Sequence, residues 1–385
     1  MRHFVLAATV AFVLAAASPV SLAAQGAPES AAFLVRLGVD TVAVERFSRS
    51  ATRLEGELVT RSPRTVLRRY AADLSPSGSV TRFEVSTHNP AVPADATPLQ
   101  RAVATLVGDS IRVEVTGVSV QTSAVGAPAG ISMLLGGAYG PHELLTMRMR
   151  RDRGDSISVP TYSVGARAAS SVTLRRLGRD SVLLNAFRVL VDRNGRILGL
   201  HAPGTTQQIQ LERLPSVDLA ALAAAWAARD AQGQAMGTLS PRDTVRASAA
   251  GANLLVDYGR PHKRGREIFG TVVPWGQVWR TGANAATQLR TDRELVFAGL
   301  SLPAGTYTLF TLPTQAGWQL IVNSQTGQWG TAYDSARDLG RVPLSVGTLA
   351  EPVEIFTIAV DAQGQGGVLT LTWDRTRATI PFTVR

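Results

Sequence analysis

The stretch from Tyr258 to Leu289 combines the residue types that hold polar ligands. Among its glycines and prolines stand cations, indole rings, an imidazole and an amide: Arg260, His262, Lys263, Arg264, Arg266, Trp275, Trp279, Arg280 and Asn284. Arginine presents a planar fork of donors that matches carboxylate and phosphate groups. Tryptophan offers a flat face on which a sugar ring or a cation can stack. This composition predicts a site for a polar ligand that is anionic or contains a sugar.

The candidate ligand-binding residues extend from this stretch to a later tryptophan. They are Arg260, Lys263, Arg264, Trp275, Trp279, Arg280, Asn284 and Trp329. A structural alternative stays open, in which the two earlier tryptophans plug one end of a β-sandwich while Arg280 and Asn284 bond loop carbonyls. The run 260–266 is either an anion-binding rim or a solvated basic loop. The sequence leaves both choices open.

Motifs for catalysis are missing from the sequence. It contains no Gly-x-Ser-x-Gly elbow, no Ser-x-x-Lys pair, no phosphate loop and no dinucleotide fingerprint. The chain has no cysteine, and its five histidines are scattered, so we expect neither a metal site nor a cofactor. The catalytic residues, if any, are unknown. We therefore expect a binding protein rather than an enzyme, with a hydrolase of envelope material as the alternative.

Residues 1–23 have the pattern of a cleavable signal peptide. Arg2 and His3 precede the apolar run from Phe4 to Ala17, and small residues at Ser21 and Ala23 suit cleavage. Without cysteine the chain cannot carry a lipoprotein anchor. No later apolar run is long enough for a membrane-spanning helix. We expect a periplasmic or secreted protein.

The chain length and the net charge limit the expected number of domains and the expected kinds of partner. A chain of 385 residues suggests two domains. The formal charge of +10 comes from arginines spread along the whole chain, and export separates the protein from nucleic acid, so nucleic acid is not an expected partner. The possible partners are an envelope glycan, a lipid or an anionic small molecule. The oligomeric state does not follow from the sequence.

Alternating apolar residues predict an all-β protein. Residues 31–213 predict an antiparallel curved sheet or half-barrel, although 98–107 has the composition of a short helix and 144–151 alternates like a strand. The Gly/Ala-rich segment 125–139 is expected to cover the open face of this sheet. Residues 214–239 predict a helical connector whose Leu219, Leu222 and Trp226 face a sheet. Residues 243–385 predict a β-sandwich of jelly-roll or immunoglobulin-like type.

The N-terminal half resembles the periplasmic half-barrels of the LolA type. The resemblance is one of architecture and rests on no specific motif. It implies a third possible function, in which this half carries a lipid or a lipoprotein in an apolar cavity under residues 125–139.

The C-terminal half, from about residue 244, resembles the bacterial domain of unknown function 2911. The resemblance rests on these segments: 258–261 (YGRP), 264–266 (RGR), 268–270 (IFG), 273–276 (VPWG), 278–284 (VWRTGAN), 302–307 (LPAGTY) and 328–330 (QWG). It implies an exported β-sandwich. It brings no activity, cofactor or catalytic residue with it.

Overall fold

The computed structural model describes residues 27–92, 96–152, 154–202 and 208–385, which form two β-sheets and two α-helices. The predicted signal peptide lies outside the described residues. The strands of the first sheet are β1 Glu29–Leu37, β2 Asp40–Arg49, β3 Arg53–Thr60, β4 Val66–Leu74, β5 Val80–His88, β6 Gln100–Val107, β7 Ser110–Thr116, β8 Gln121–Gly126, β9 Ser132–Leu134, β10 Ser156–Ser163, β11 Ser170–Arg176, β12 Ser181–Leu184, β13 Phe187–Val191, β14 Ile197–His201 and β15 Ile209–Leu214. Helix α1, Gly140–Arg151, interrupts this series.

The second sheet follows helix α2, Leu219–Ala231. Its strands are β16 Arg242–Ala249, β17 Ala252–Gly259, β18 Thr287–Thr291, β19 Leu295–Phe297, β20 Leu300–Leu302, β21 Gly305–Thr314, β22 Gly317–Asn323, β23 Asp338–Gln363 and β24 Gly366–Val384, with a short 3-10 helix at Ser335–Arg337. The all-β prediction with an N-terminal and a C-terminal sheet is confirmed. The predicted domain boundaries stay a prediction.

The N-terminal sheet is a meander whose ends curl toward each other. Its order runs β8-β7-β6-β5-β4-β3-β2-β1-β15-β14-β13-β12-β11-β10-β9, antiparallel except for the parallel pair of β9 and β10. Edge strand β9 also contacts β5, and α1 contacts β3, β9, β10 and β11, so the helix lies inside the curve. The core there contains Ile131, Met133, Leu135, Leu145 and Met149, all buried. Within the segment 125–139, the buried residues between 131 and 138 therefore fill the concave side together with α1, while Val125 and Gly126 belong to edge strand β8.

Two local predictions in this half are wrong. Residues 144–151 belong to helix α1, not to a strand. The alternation of methionine and arginine at 147–150 imitates a strand, whereas the buried positions Pro141, Leu144, Leu145 and Met149 follow the helical period. The alanine-containing segment 98–107 is not a helix but contributes β6, because it pairs along its length with β5 and β7. Long-range pairing overrides local propensity there.

Helix α2 packs on the convex side of the N-terminal sheet. Asp218 caps it by accepting a hydrogen bond from the backbone N–H of Ala221 at 3.0 Å. Its apolar face, with Leu219 and Trp226 buried, lies against Val44 and Val59 of the sheet. The connector predicted from the sequence is therefore docked on the first sheet. Neither helix of the described residues combines the length and apolar character needed to cross a membrane.

The C-terminal sheet has the order β16-β17-β18-β21-β22-β23-β24-β19-β20. Strands β23 and β24 form one long hairpin, whereas the sequence pattern alone predicts four shorter strands at 341–346, 353–360, 367–373 and 377–384. Register shifts between Thr348 and Val353 and between Val353 and Thr357 account for the difference, since they interrupt the alternation without ending the strands. The core of this half holds an aromatic cluster of Phe269, Trp279, Trp318, Phe356 and Trp373.

Candidate functional site

A cleft of about 840 Å³ lies where the two sheets meet. Residues of the N-terminal sheet contribute one side and the loops 261–284 and 329–333 contribute the other. The polar and aromatic residues that line it are Ser62, Thr238, Ser240, Arg266, Thr271, Gln277, Trp279, Arg280, Asn284, Trp329, Thr331, Tyr333 and Trp373. Leu37 and Ile209 supply apolar surface from the first sheet. The cleft thus joins residues that are far apart in sequence.

The loop 279–284 is held in a strained conformation at the wall of the cleft. Thr281 and Asn284 have positive φ angles of 50° and 62°, which is unusual for a β-branched residue such as threonine. Thr281 is fully buried, and its carbonyl accepts a hydrogen bond from the Thr287 hydroxyl at 2.6 Å. Buried hydrogen bonds of this kind keep the strained backbone in place.

Arg280 is clamped between this loop and the segment around Trp329. Its Nη1 donates to the carbonyl oxygen of Asn284 at 3.1 Å. A β-carbon at Gly330 would lie 2.3 Å from Cδ of Arg280, so only glycine allows this approach. Burial lowers the pKa of the Arg280 guanidinium below its usual value. The side chain is therefore a positioned and partly desolvated cation beside the cleft.

Of the three tryptophans that line the cleft, the two predicted from the sequence differ in accessibility. Trp279 is buried, stacks on Trp373 at 5.8 Å between ring centroids, and donates from Nε1 to the Gly282 carbonyl at 3.1 Å. Trp329 is 57% exposed. Trp275 is 38% exposed and packs on Phe269, but it does not line the cleft. Of the three predicted rings, Trp329 is the one whose face is most accessible to a ligand.

Asn284 and Arg280 also make the loop contacts that the structural alternative requires. Asn284 Nδ2 donates to the carbonyl of Ser240 at 3.5 Å. Together with the buried Trp279, this arrangement matches the plug and the loop staples described by that alternative. The structural interpretation and the ligand-binding interpretation are compatible in this loop, because the residues that hold the loop also line the cleft.

The basic run 260–266 joins elements together and does not form a solvated loop. Arg260 pairs with Asp243 at 3.0 Å and Lys263 with Asp374 at 2.7 Å. The backbone N–H of Val39 donates to the carbonyl of Arg264 at 3.0 Å. Arg260, Lys263 and Arg264 stand outside the residues that line the cleft. Their charges are already matched by carboxylates of this chain.

Arg264 connects the two sheets directly. It is 8% exposed, and its Nη1 pairs with Asp40 of β2 at 2.5 Å. Its backbone has a φ of 51°, and the following Gly265 packs against Val39 at the tip of the β1–β2 hairpin. A β-carbon at Gly38 would meet the Arg264 carbonyl oxygen, so the hairpin tip fits against this loop without space to spare. This junction supports one side of the cleft.

Replacing Asp40 by alanine is expected to lower the free energy of unfolding by about 2 kcal/mol, because the buried guanidinium of Arg264 loses its charged hydrogen-bond partner. Urea denaturation of the purified protein measures the change. The control is Asp361→Ala in the exposed turn region of β23, expected within about 0.5 kcal/mol of wild type. Equal losses for the two variants would contradict the role of the junction.

A second polar cluster, which the sequence analysis did not identify, lies inside the N-terminal sheet. Glu143 of α1 is fully buried and pairs with Arg49 at 2.7 Å and Arg213 at 2.5 Å. Glu29 pairs with the same two arginines and with Arg196. These residues are 184 positions apart at most, and no local signal links them. The cluster ties β1, β2, β15 and α1 together.

Glu45 forms a neighbouring buried group at the start of α1. Its carboxylate accepts hydrogen bonds from the Tyr70 hydroxyl and from the backbone N–H groups of Tyr139 at 2.5 Å and Gly140 at 3.0 Å. A carboxylate in this place caps the helix and matches its dipole. Burial nevertheless raises the pKa of Glu45 from 4.5 to about 7, against the lowering effect of these hydrogen bonds. Both carboxyls are closed to a ligand.

Fold and site together define a protein of the all-β class, built from two sheets with a cleft between them. Residues 240–382 match the model of the family described as "Protein of unknown function (DUF2911)". The resemblance of the C-terminal half is thereby confirmed, and the N-terminal half has no family assignment. No curated protein matches the sequence.

Two solved structures are similar to parts of the chain. One is a beta-barrel-like protein of domain of unknown function DUF1849 from Brucella abortus, with 11% identity over 49% of this chain and 95% of that chain and a TM-score of 0.34. The other is a DUF1089 family protein from Pseudomonas aeruginosa, with 12% identity, coverage of 42% and 90% and a TM-score of 0.30. Neither of these two proteins is described with a ligand or an activity.

Proposed function

We propose that this protein is a non-catalytic binding protein of the cell envelope that holds a polar ligand, anionic or sugar-containing, in the cleft between its sheets. One observation carries the proposal. Within the described part of the chain, the lining combines two arginines and an exposed tryptophan face with hydroxyl and amide groups, and includes no aspartate, glutamate or histidine. Such a lining attracts anions and suits the stacking of a ring.

Each group has a separate task in this proposal. Arg280 supplies a cation whose partial desolvation makes an anionic partner favourable. Trp329 supplies the flat face for a sugar ring. Asn284, Gln277 and Ser240 supply hydrogen-bond donors and acceptors along the lining. A ligand-sized space with few polar groups around apolar walls is typical of small-molecule sites.

The alternative functions gain less support. A hydrolase needs an acid or a base within reach of its substrate, and the described lining offers neither a carboxylate nor an imidazole. A carrier needs an apolar cavity under residues 125–139. Buried Ile131, Met133 and Leu135 occupy that region together with α1. That the protein is exported is inferred from the signal-peptide pattern of residues 1–23 and is part of this proposal.

The test is binding to glycan arrays and to immobilised anionic phospholipids by wild type and by Trp329→Ala and Arg280→Ala. Ligands that bind wild type are expected to lose about fivefold or more in affinity to each variant, because a stacked ring and a charged hydrogen bond each contribute about 1 kcal/mol or more. Matched controls are Trp275→Ala and Arg377→Ala, which stand outside the cleft lining and should bind like wild type.

Thermal unfolding of every variant separates loss of binding from loss of folding. Binding that is equally weak for wild type and for Arg280→Ala would remove the proposal. Equal losses in Trp275→Ala and Trp329→Ala would place the site elsewhere.

A further inference from the structure

The cleft between the sheets has two ends that differ in chemistry. At one end, Arg280 donates to the carbonyl oxygen of Asn284 at 3.1 Å, and the backbone N–H of Gly330 donates to the same oxygen at 2.9 Å. Asn284 also donates from Nδ2 to the carbonyl of Ser240. These contacts bring Trp329, the neighbour of Gly330, to the same place. This polar end therefore holds a cation, an amide and an exposed indole ring together.

The other end, the apolar end, lies where the last residue of β1 meets the first residue of β15. Leu37 and Ile209 are direct cross-strand partners there, and both line the cleft. Gln208 donates from Nε2 to the carbonyl of Thr271 at 2.8 Å, which holds the valines 272–273 beside this pair. Both valines line the cleft as well. Aliphatic side chains from both halves of the chain thus meet at this end.

Arg266 also lies at the apolar end, and its charge is bonded to its own loop. Its Cγ is 3.0 Å from the position that a β-carbon at Gly38 would take. Its guanidinium donates to the backbone carbonyls of His262 and Lys263. A hydrocarbon chain can therefore lie along the methylene stem of Arg266 while the charged group keeps its partners in the loop.

Leu239 extends the apolar surface from one end of the cleft toward the other. The hydroxyl of Ser62, in the connection between β3 and β4, donates to the carbonyl of Gly237 at 3.0 Å. The carbonyl of Ser240 accepts from Asn284 at the polar end. Leu239 lies between these two anchor points and lines the cleft. The lining therefore changes from aliphatic side chains to a cation along one continuous space.

We propose that the ligand is an anionic amphiphile, with its carboxylate or phosphate head at Arg280 and its hydrocarbon chain on Leu37, Ile209 and Leu239. This inference rests on the proposed function of the cleft and narrows the class of its ligand. A volume of about 840 Å³ lies within the range of small-molecule sites and gives room for one such molecule. The charge of Arg280 attracts the head, and the removal of apolar surface from water drives the chain into the cleft.

A purely polar ligand fits the apolar end poorly. The hydroxyl groups of a sugar point outward around its ring, and each hydroxyl that leaves water needs a hydrogen-bond partner. The side chains of Leu37, Ile209 and the valines 272–273 offer none. A small inorganic anion would leave the same surface without contact. A hydrocarbon chain needs no such partner, so an amphiphile matches both ends of the cleft.

Titration calorimetry with hexanoate, octanoate and decanoate, each below the concentration at which it forms micelles, tests the proposal. Binding to wild type is expected to strengthen about fourfold for each added methylene group, the factor that corresponds to the transfer of one methylene from water. Octyl phosphate, measured beside octanoate, shows which of the two anionic heads binds more tightly.

Two substitutions at the apolar surface test where the chain lies. Ile209→Asn and Leu239→Asn are each expected to weaken decanoate binding about tenfold, because they remove apolar contacts of the chain. Ile209 also packs on the N-terminal core, so Leu239→Asn provides a variant outside that core. The matched control is Leu198→Asn on β14, which is 50% exposed, stands outside the cleft lining and should bind like wild type. Thermal unfolding checks that each variant is folded.

Arg280→Ala separates this inference from the proposed function. It should weaken the binding of every chain length by the same factor, about fivefold or more, and leave the dependence on chain length unchanged. Binding that does not depend on chain length but is weakened by Arg280→Ala would overturn the amphiphile and leave a polar ligand in the cleft. Decanoate that does not bind overturns the amphiphile as well, while the glycan arrays then decide the proposed function alone. Equal losses in Leu198→Asn and Leu239→Asn would also overturn it.

Discussion

Replacing Glu143 by alanine is expected to lower the free energy of unfolding by about 3–5 kcal/mol, among the largest effects of a single substitution in this chain. Glu143 is fully buried, and both of its oxygens are occupied. Oε1 accepts from Arg49 at 2.7 Å, while Oε2 accepts from Arg213 at 2.5 Å and from the backbone N–H of Ile197 at 2.8 Å. Removing the carboxylate leaves buried donors and cations without compensation.

Chemical denaturation measures this loss. The control is Glu212→Ala. The Glu212 side chain is 59% exposed, and its carboxylate lies 4.0 Å from the Arg36 guanidinium, which is a long distance for an ion pair. An exposed pair of that kind contributes at most about 1 kcal/mol. If the two glutamate variants lose the same stability, the buried cluster does not support the sheet and α1 as inferred.

Stability is expected to decrease as pH rises from about 4.5 to about 7, by up to about 3 kcal/mol from Glu45 alone. The sign follows from proton binding. The pKa of Glu45 is higher in the folded chain than the ordinary value of 4.5, so between these pH values the folded protein holds a proton that the unfolded protein releases. The stabilisation is therefore complete below about 4.5 and is lost as pH passes the folded value.

The measurement compares wild type with Glu45→Gln by denaturation at several pH values. Glutamine has the shape of the neutral carboxyl but does not titrate, so the pH-dependent difference between the two proteins isolates Glu45. Burial lowers the pKa of nearby His142, which adds an opposite slope that both proteins share. A difference that stays constant from pH 4.5 to 7 would contradict the buried, raised carboxyl.

Local pattern was a good guide where strands alternate and where helix caps are marked. Helix α2 shows this, since its Leu219 and Trp226 lie buried against the first sheet. Local pattern predicts the wrong element at 144–151, because methionine and arginine alternate there as in a strand although the residues belong to helix α1. It also failed at 98–107, where pairing with two neighbouring strands outweighed helical composition. Local propensity is weak compared with long-range pairing.

Sequence pattern also identified only some of the residues at the candidate site correctly as cleft residues. Trp279, Arg280, Asn284 and Trp329 do line the cleft, and their sequence signal was the unusual mixture of cations, rings and glycines. Arg260, Lys263 and Arg264 carry the same signal but are paired with Asp243, Asp374 and Asp40. Residue type shows what a side chain can bind, while its partner depends on which distant strand folds against it.

The amino-acid sequence by itself determined the all-β class, the helix between the sheets, the family resemblance of the C-terminal half and the segment that carries the ligand-type residues. These properties depend on period, composition and short motifs, which are local. Only the tertiary structure decided that the site is a cleft between two sheets, that Ser62 and Leu37 belong to its lining, and that buried glutamates hold α1. Those features depend on contacts between residues up to hundreds of positions apart, and such contacts form through packing and burial of the whole chain.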